Sequence, residues 1–129
     1  MCKIMVVDDE RAFRDIVLAA FLKVGINAIA ASDGIEALEL LGKKSEIGAI
    51  LIDLHLPGID GLTLCRKIKK HDPLILTVAV TGYSNVFTLI EAREAGFDYF
   101  LCKPVDIGVI QRVGKNIVWT VEYWRNLSK

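Results

Sequence analysis

The 129-residue chain predicts an α/β fold, a doubly wound parallel sheet of five strands with five helices on its faces. Short apolar runs of strand length alternate with longer segments of helical period, and the alternation repeats five times. That pattern marks βα units in a parallel sheet. Three of the runs are almost wholly apolar, as central strands covered on both sides require. Hydrophobic residues make up 53% of the chain and charged residues 25%, enough apolar material for one packed core and too much for disorder. The length is that of one domain.

The first strand is Lys3 to Val7. Behind it Phe13, Val17, Ala20, Phe21 and Val24 recur at helical spacing, and Gly25 ends the first helix. Asn27 to Ala31 is the second strand; Ile35, Leu38 and Leu41 mark the second helix, with Gly42 as its stop. The third strand is Ala49 to Ile52, and a third helix runs from about Leu62 to Lys70, ahead of the Asp72-Pro73 break. Its run Arg66-Lys67-Ile68-Lys69-Lys70 reads as the solvated side. Ile75 to Val80 is the fourth strand, followed by a helix from about Asn85 to Ala95 with Ser84 as N-cap and Gly96 as stop. Tyr99 to Cys102 is the fifth strand, and a long last helix occupies about 107–127. Right-handed crossovers leave doubly wound strand orders as the natural topologies.

In the last helix Ile110, Gly114, Ile117, Val121 and Trp124 form one stripe. Trp119 falls half a turn out of phase with it at ~100° per residue. Tyr123 follows one turn later, so the two aromatics are expected on the outer side, as a patch for a partner or a second subunit.

Sixteen Lys and Arg balance sixteen Asp and Glu, so the basic surplus of a nucleic-acid or anionic-membrane binder is missing. No apolar run approaches the roughly 20 residues that cross a bilayer, and the first residues turn acidic too soon for a signal peptide, so the chain reads as cytoplasmic. Cys2, Cys65 and Cys102 form no CxxC pair and read as reduced, structural thiols, with Cys65 and Cys102 in or near the core. His55 and His71 lack a second His or Cys at ligand spacing, which argues against zinc.

In doubly wound sheets the ligand site lies at the carboxyl ends of the strands. Here those ends carry Asp8, Asp9 and Glu10, then Asp53, then Thr81 and Gly82, then Lys103 and Pro104. A single strand-end carboxylate is most often a solvated turn or an N-cap. Several converging on one region repel each other and need a cation. Hard oxygen ligands select Mg²⁺ or a similar ion such as Mn²⁺, which binds through one or two carboxylates plus phosphate oxygens. A phosphoryl group is therefore the implied second ligand, with a lysine and a hydroxyl for its remaining oxygens.

These residues resemble the response-regulator receiver domain of two-component signalling. The likeness rests on Val6-Val7-Asp8-Asp9-Glu10, on Asp53-Leu54-His55-Leu56-Pro57-Gly58-Ile59-Asp60-Gly61, on Thr81-Gly82, and on Gly96 through Lys103-Pro104, in the family's order and spacing. It covers nearly the whole chain, read as one receiver domain over 1–129, and implies the strand order 2-1-3-4-5.

By resemblance, Asp53 is the phosphoacceptor, taking a phosphoryl group from the phosphohistidine of a sensor histidine kinase or a histidine phosphotransfer protein. Asp9, Asp53 and the backbone carbonyl of His55 would bind the metal, with Asp8 acting through water. Lys103 would pair with the phosphoryl group, Thr81 would bond one of its oxygens, and Phe100 would turn inward. The surface of helix four, strand five and helix five would then change for a downstream effector or a homodimer partner. Pro104 is expected to follow a cis bond. His55 and Tyr83 occupy the positions that tune phosphoryl lifetime, and both are bulky. The only catalysis implied is of the chain's own phosphorylation and dephosphorylation. Two other classes remain: a phosphorylation-independent receiver-like module, and an Mg²⁺-dependent phosphohydrolase with an Asp nucleophile. The second would want an Asp where His55 stands.

Overall fold

A computed structural model describes residues 2–43, 46–82 and 85–127. In chain order the elements are β1 (Lys3–Val7), α1 (Arg11–Lys23), β2 (Asn27–Ala31), α2 (Gly34–Lys43), β3 (Ile47–Asp53), α3 (Gly61–His71), β4 (Leu76–Thr81), α4 (Val86–Ala95), β5 (Tyr99–Cys102) and α5 (Ile107–Leu127). The strands form one parallel sheet in the order β2-β1-β3-β4-β5.

The near-continuous apolar strands split between two layers. Ile4 and Val6 of β1, Ala49 and Leu51 of β3, and Val78 and Val80 of β4 pack with Val17, Phe21, Ile110, Ile117 and Val121 of α1 and α5. Their neighbours Met5, Val7, Ile50, Ile52 and Ala79 point the other way, onto Ala37, Leu64, Ile68 and Ala92 of α2, α3 and α4. Alternate side chains of a strand face opposite sides, so a strand buried on both must be apolar throughout.

β3 extends from Ile47 to Asp53, beyond the predicted Ala49 to Ile52, so that Asp53 belongs to the strand. β4 likewise runs one residue further, to Thr81. Gly42 does not stop α2, which continues to Lys43. Ile35 is 59% exposed while Ala37 and Leu41 face the core. The cap of α4 is Asn85, whose side chain accepts from Thr88 N–H; Ser84 lies outside the described residues. Gly96 does end α4, at φ +107°, a conformation that side-chain-bearing residues rarely adopt.

Two further expectations are corrected. Cys102 is exposed, since it ends the edge strand β5, whereas Cys65 is buried. Lys69 is not part of a wet face. Its Nζ donates to the Ile75 carbonyl and to Asp98 Oδ2, both at 2.7 Å, and the same oxygen accepts from Thr77 N–H at 2.9 Å. This ties α3 to the amino-terminal ends of β4 and β5. Among the described residues no helix is long and apolar enough to cross a membrane.

Candidate functional site

Parallel registry brings the carboxyl ends of the strands together. Val7 lies beside Ile52, Asp53 beside Val80, and Thr81 beside Cys102. Asp8 therefore follows β1, Asp53 and Thr81 close β3 and β4, and Lys103 follows β5, all at one rim of the sheet.

Backbone donors hold the two inner carboxylates. Asp8 is 1% exposed, and its Oδ1 accepts from Glu10 N–H at 2.8 Å. Asp53 is 7% exposed, and its Oδ1 accepts from His55 N–H at 2.9 Å. The start of α3 packs directly on this strand end: a Cβ at Gly61 would lie 2.5 Å from the Asp53 carbonyl oxygen and 2.7 Å from Leu54 Cα. Only glycine allows that approach. Asp9 stays exposed. One carboxylate oxygen from each of Asp8, Asp9 and Asp53 falls within 4.8 Å of the other two.

Lys103 sits over this cluster. Its Nζ lies 2.8 Å from Asp8 Oδ2, 3.3 Å from Glu10 Oε1 and 3.7 Å from Asp53 Oδ2. The ring of Phe13 covers the ammonium at 4.3 Å from the ring centroid. The Lys103–Pro104 peptide bond is cis, and Lys103 N–H donates to the Thr81 carbonyl at 2.7 Å.

The electrostatics follow from this crowding. Burial raises the pKa of Asp53 above the ordinary value, and the charges of Asp8 and Asp9 add to the rise; the His55 N–H and Lys103 oppose it. Burial alone would lower Lys103, but its hydrogen bond to Asp8 and the charges of Asp53 and Asp8 outweigh that and leave it raised. Three oxygen donors with a net negative charge, one of them open to solvent, suit a hard divalent cation such as Mg²⁺. The donor set fits the metal that the sequence implies.

Thr81 is fully buried at the end of β4. Phe100 is half-buried against the α3–α4 side of the core, and His55 is exposed at the rim. Tyr83 lies outside the described residues. Trp119 and Tyr123 are on α5, outside the carboxylate cluster. Sequence reasoning missed the roles of Phe13, read as core, and of Glu10 as a partner of Lys103. Phe13 is the first member of the α1 stripe, and the first turn of α1 lies next to the strand-end site; that position was the available signal.

A family model described as the response regulator receiver domain matches residues 4–113. The chain is 30% identical over 109 residues to sporulation initiation phosphotransferase F of Bacillus subtilis, covering 84% of this chain and 87% of that protein. It is 34% identical over 105 residues to the DNA-binding transcriptional regulator NtrC of Escherichia coli, covering 81% of this chain but 22% of the relative. Among solved structures, NtrX from Brucella abortus in complex with ADP matches with a TM-score of 0.88 at 30% identity, over 99% of this chain and 30% of that one. Chemotaxis protein CheY4 of Vibrio cholerae matches with a TM-score of 0.85 at 21% identity, over 91% of this chain and 98% of that one, a likeness of fold.

Proposed function

The chain belongs to the response-regulator receiver domain family, and on that premise we propose that it is a phosphoacceptor switch. Asp53 takes a phosphoryl group from the phosphohistidine of a sensor histidine kinase or a histidine phosphotransfer protein, and the modified domain controls a downstream effector. The observation that carries this reading is the placement of Lys103 Nζ within 4.0 Å of both Asp8 and Asp53, beside the three-carboxylate cluster.

Asp53 Oδ1 is engaged by the His55 N–H, which leaves Oδ2, on the Lys103 side, as the attacking atom. Its lone pair forms the new O–P bond while the P–N bond breaks, and the electron pair of that bond leaves with the imidazole nitrogen, which takes up a proton. Lys103 offsets charge on the transferred group, and the Thr81 hydroxyl donates to one of its oxygens. Asp8, Asp9, Asp53 and the His55 carbonyl would hold Mg²⁺, which when bound offsets the charge collecting on the phosphoryl oxygens. Phe100 then repacks, and since phenylalanine has no hydroxyl, packing alone drives its movement. The surface of α4, β5 and α5 carries the change to the effector.

Intact-protein mass after incubation with acetyl phosphate tests the proposal, with and without Mg²⁺ and beside Asp53→Asn. The expected result is a Mg²⁺-dependent gain of one labile phosphoryl group that the variant lacks. No gain in the folded protein, from acetyl phosphate or from a phosphohistidine donor, overturns it.

A further inference from the structure

The proposed switch leaves one face of α5 unused. The buried stripe Ile110, Gly114, Ile117 and Val121 faces the core, and Trp119 stands on the opposite side, 67% exposed. Its ring stacks on that of Tyr123, itself 50% exposed, with centroids 5.2 Å apart and planes 6° from parallel. So much apolar aromatic surface in water is an unrealised gain from burial. Stacking also orders the pair in advance, which lowers the entropy lost when a partner covers it. Alongside runs a groove of about 470 Å³ between this face and the turn after α1, lined in part by Val24, Ile26, Lys115 and Glu122.

The charges on this face select its occupant. Lys115 and Glu122 are one heptad apart, so they lie on the same flank, with Trp119 between them along the axis. Consider two copies of α5 packed antiparallel about a two-fold axis at Trp119. Like flanks then meet, and each Lys115 comes level with Glu122 of the other copy to about 1.5 Å, one helical rise. The symmetry makes this ion pair twice. A parallel pairing would instead set Lys115 near Thr120 and leave both charges without a partner. We propose that this face is an interface between two copies of the chain, joined by antiparallel α5 helices with Trp119 against Trp119 and Lys115 against Glu122. The interface is isologous and closes at two copies. One helix face buries less than the area of standard interfaces, so the dimer is reversible, in the micromolar range or weaker.

Sedimentation equilibrium of the full chain across micromolar to submillimolar concentrations tests this, with circular dichroism to verify that each variant folds. All three positions are exposed, so none of the substitutions removes a core side chain. The wild type should show a monomer–dimer equilibrium that Trp119→Ala weakens about tenfold. Lys115→Glu and Glu122→Lys should each weaken it about threefold or more, and the double reversal should restore it to within about twofold of wild type. A monomer at every concentration overturns the proposal. So does a dimer indifferent to Trp119→Ala, which would place the contact elsewhere, or a double reversal no better than the single changes.

Discussion

Removing the charge of Asp53 should stabilise the fold while abolishing the proposed phosphoacceptor. At an effective dielectric near 20, each carboxylate within 4.8 Å of Asp53 repels it by about 3 kcal/mol. Asp8 and Asp9 are two such neighbours. Lys103 at 3.7 Å returns about 4 kcal/mol of attraction. Solvent around the exposed Asp9 weakens its share; burial of the Asp53 carboxylate is the largest penalty on the charged form, and the His55 N–H offsets part of it. The balance is about 1–2 kcal/mol against the ionised aspartate, or roughly 5 °C in Tm for a domain of this size. Asparagine keeps an oxygen for the His55 N–H, so the strand end need not rearrange. The sign with pH follows from the raised pKa of Asp53. Below the unfolded-state value both states bind the proton and the penalty is absent; it grows as pH rises toward the folded-state value and is complete above it. Urea unfolding in the presence of a chelator should therefore find Asp53→Asn more stable than wild type at neutral pH, with the gap closing as pH falls toward 4. A variant no more stable than wild type at neutral pH, or a gap that acid leaves unchanged, would refute this electrostatic account.

Four further outcomes are expected. Phe13→Leu removes a cation–π contact worth about 1 kcal/mol to a largely buried ammonium and should slow phosphoryl uptake from acetyl phosphate about fivefold, with Phe13→Tyr near wild type; equal rates in all three would remove Phe13 from the site. Lys69→Met leaves the partly exposed Asp98 carboxylate and the Ile75 carbonyl without that lysine, so urea unfolding should register a loss of about 1 kcal/mol, and a loss under ~0.3 kcal/mol would deny the clamp its role. Gly61→Ala drives a Cβ into backbone at 2.5 Å and should cost about 2 kcal/mol or more and impair labelling of Asp53; a wild-type denaturation curve would contradict the close approach. If His55 and Tyr83 hinder the attacking water, their replacement by alanine should speed acyl-phosphate decay about threefold or more, measured by loss of the labelled mass, and an unchanged decay rate would dismiss them.

Much of the fold is legible in the chain because a sheet covered on both faces leaves so little freedom. The runs Ile4 to Val7, Ala49 to Ile52 and Val78 to Val80 must be strands of that kind, and Gly25 and Gly96 mark helix ends. The errors fall where a local signal competes with packing. Gly42 lies inside α2, and the helix passes through it as helices do when neighbours hold them. Ile35 fits the apolar period yet points outward, because α2 buries the side that carries Gly34, Ala37 and Leu41. Lys69 looked solvated because nothing local announces Asp98, 29 residues away. At the rim, Asp8, Asp53 and Lys103 stood out as polar groups closing apolar strands. The ring of Phe13 over Lys103 did not, since an aromatic at helical spacing is indistinguishable in sequence from one more core residue.

The two ends of the β4–β5 pair are fixed in different ways, and on the proposed function that difference directs the response. At the amino-terminal end, Lys69, Asp98 and Thr77 form a half-buried knot of short hydrogen bonds that involves no group of the site. At the carboxyl end, Lys103 is shared among Asp8, Glu10 and Asp53, and its backbone N–H bonds the Thr81 carbonyl. A phosphoryl group on Asp53 adds a stronger acceptor beside an ammonium already divided among three carboxylates, so the division must shift toward it. The Lys103–Thr81 hydrogen bond couples that shift to the last residue of β4, while the knot resists movement of the far end. Displacement is thereby directed to the carboxyl ends of β4 and β5. The same crowding that makes ionised Asp53 costly in the unmodified protein is what gives its modification energy to redistribute, so a variant that relieves the crowding gains stability at the expense of the switch.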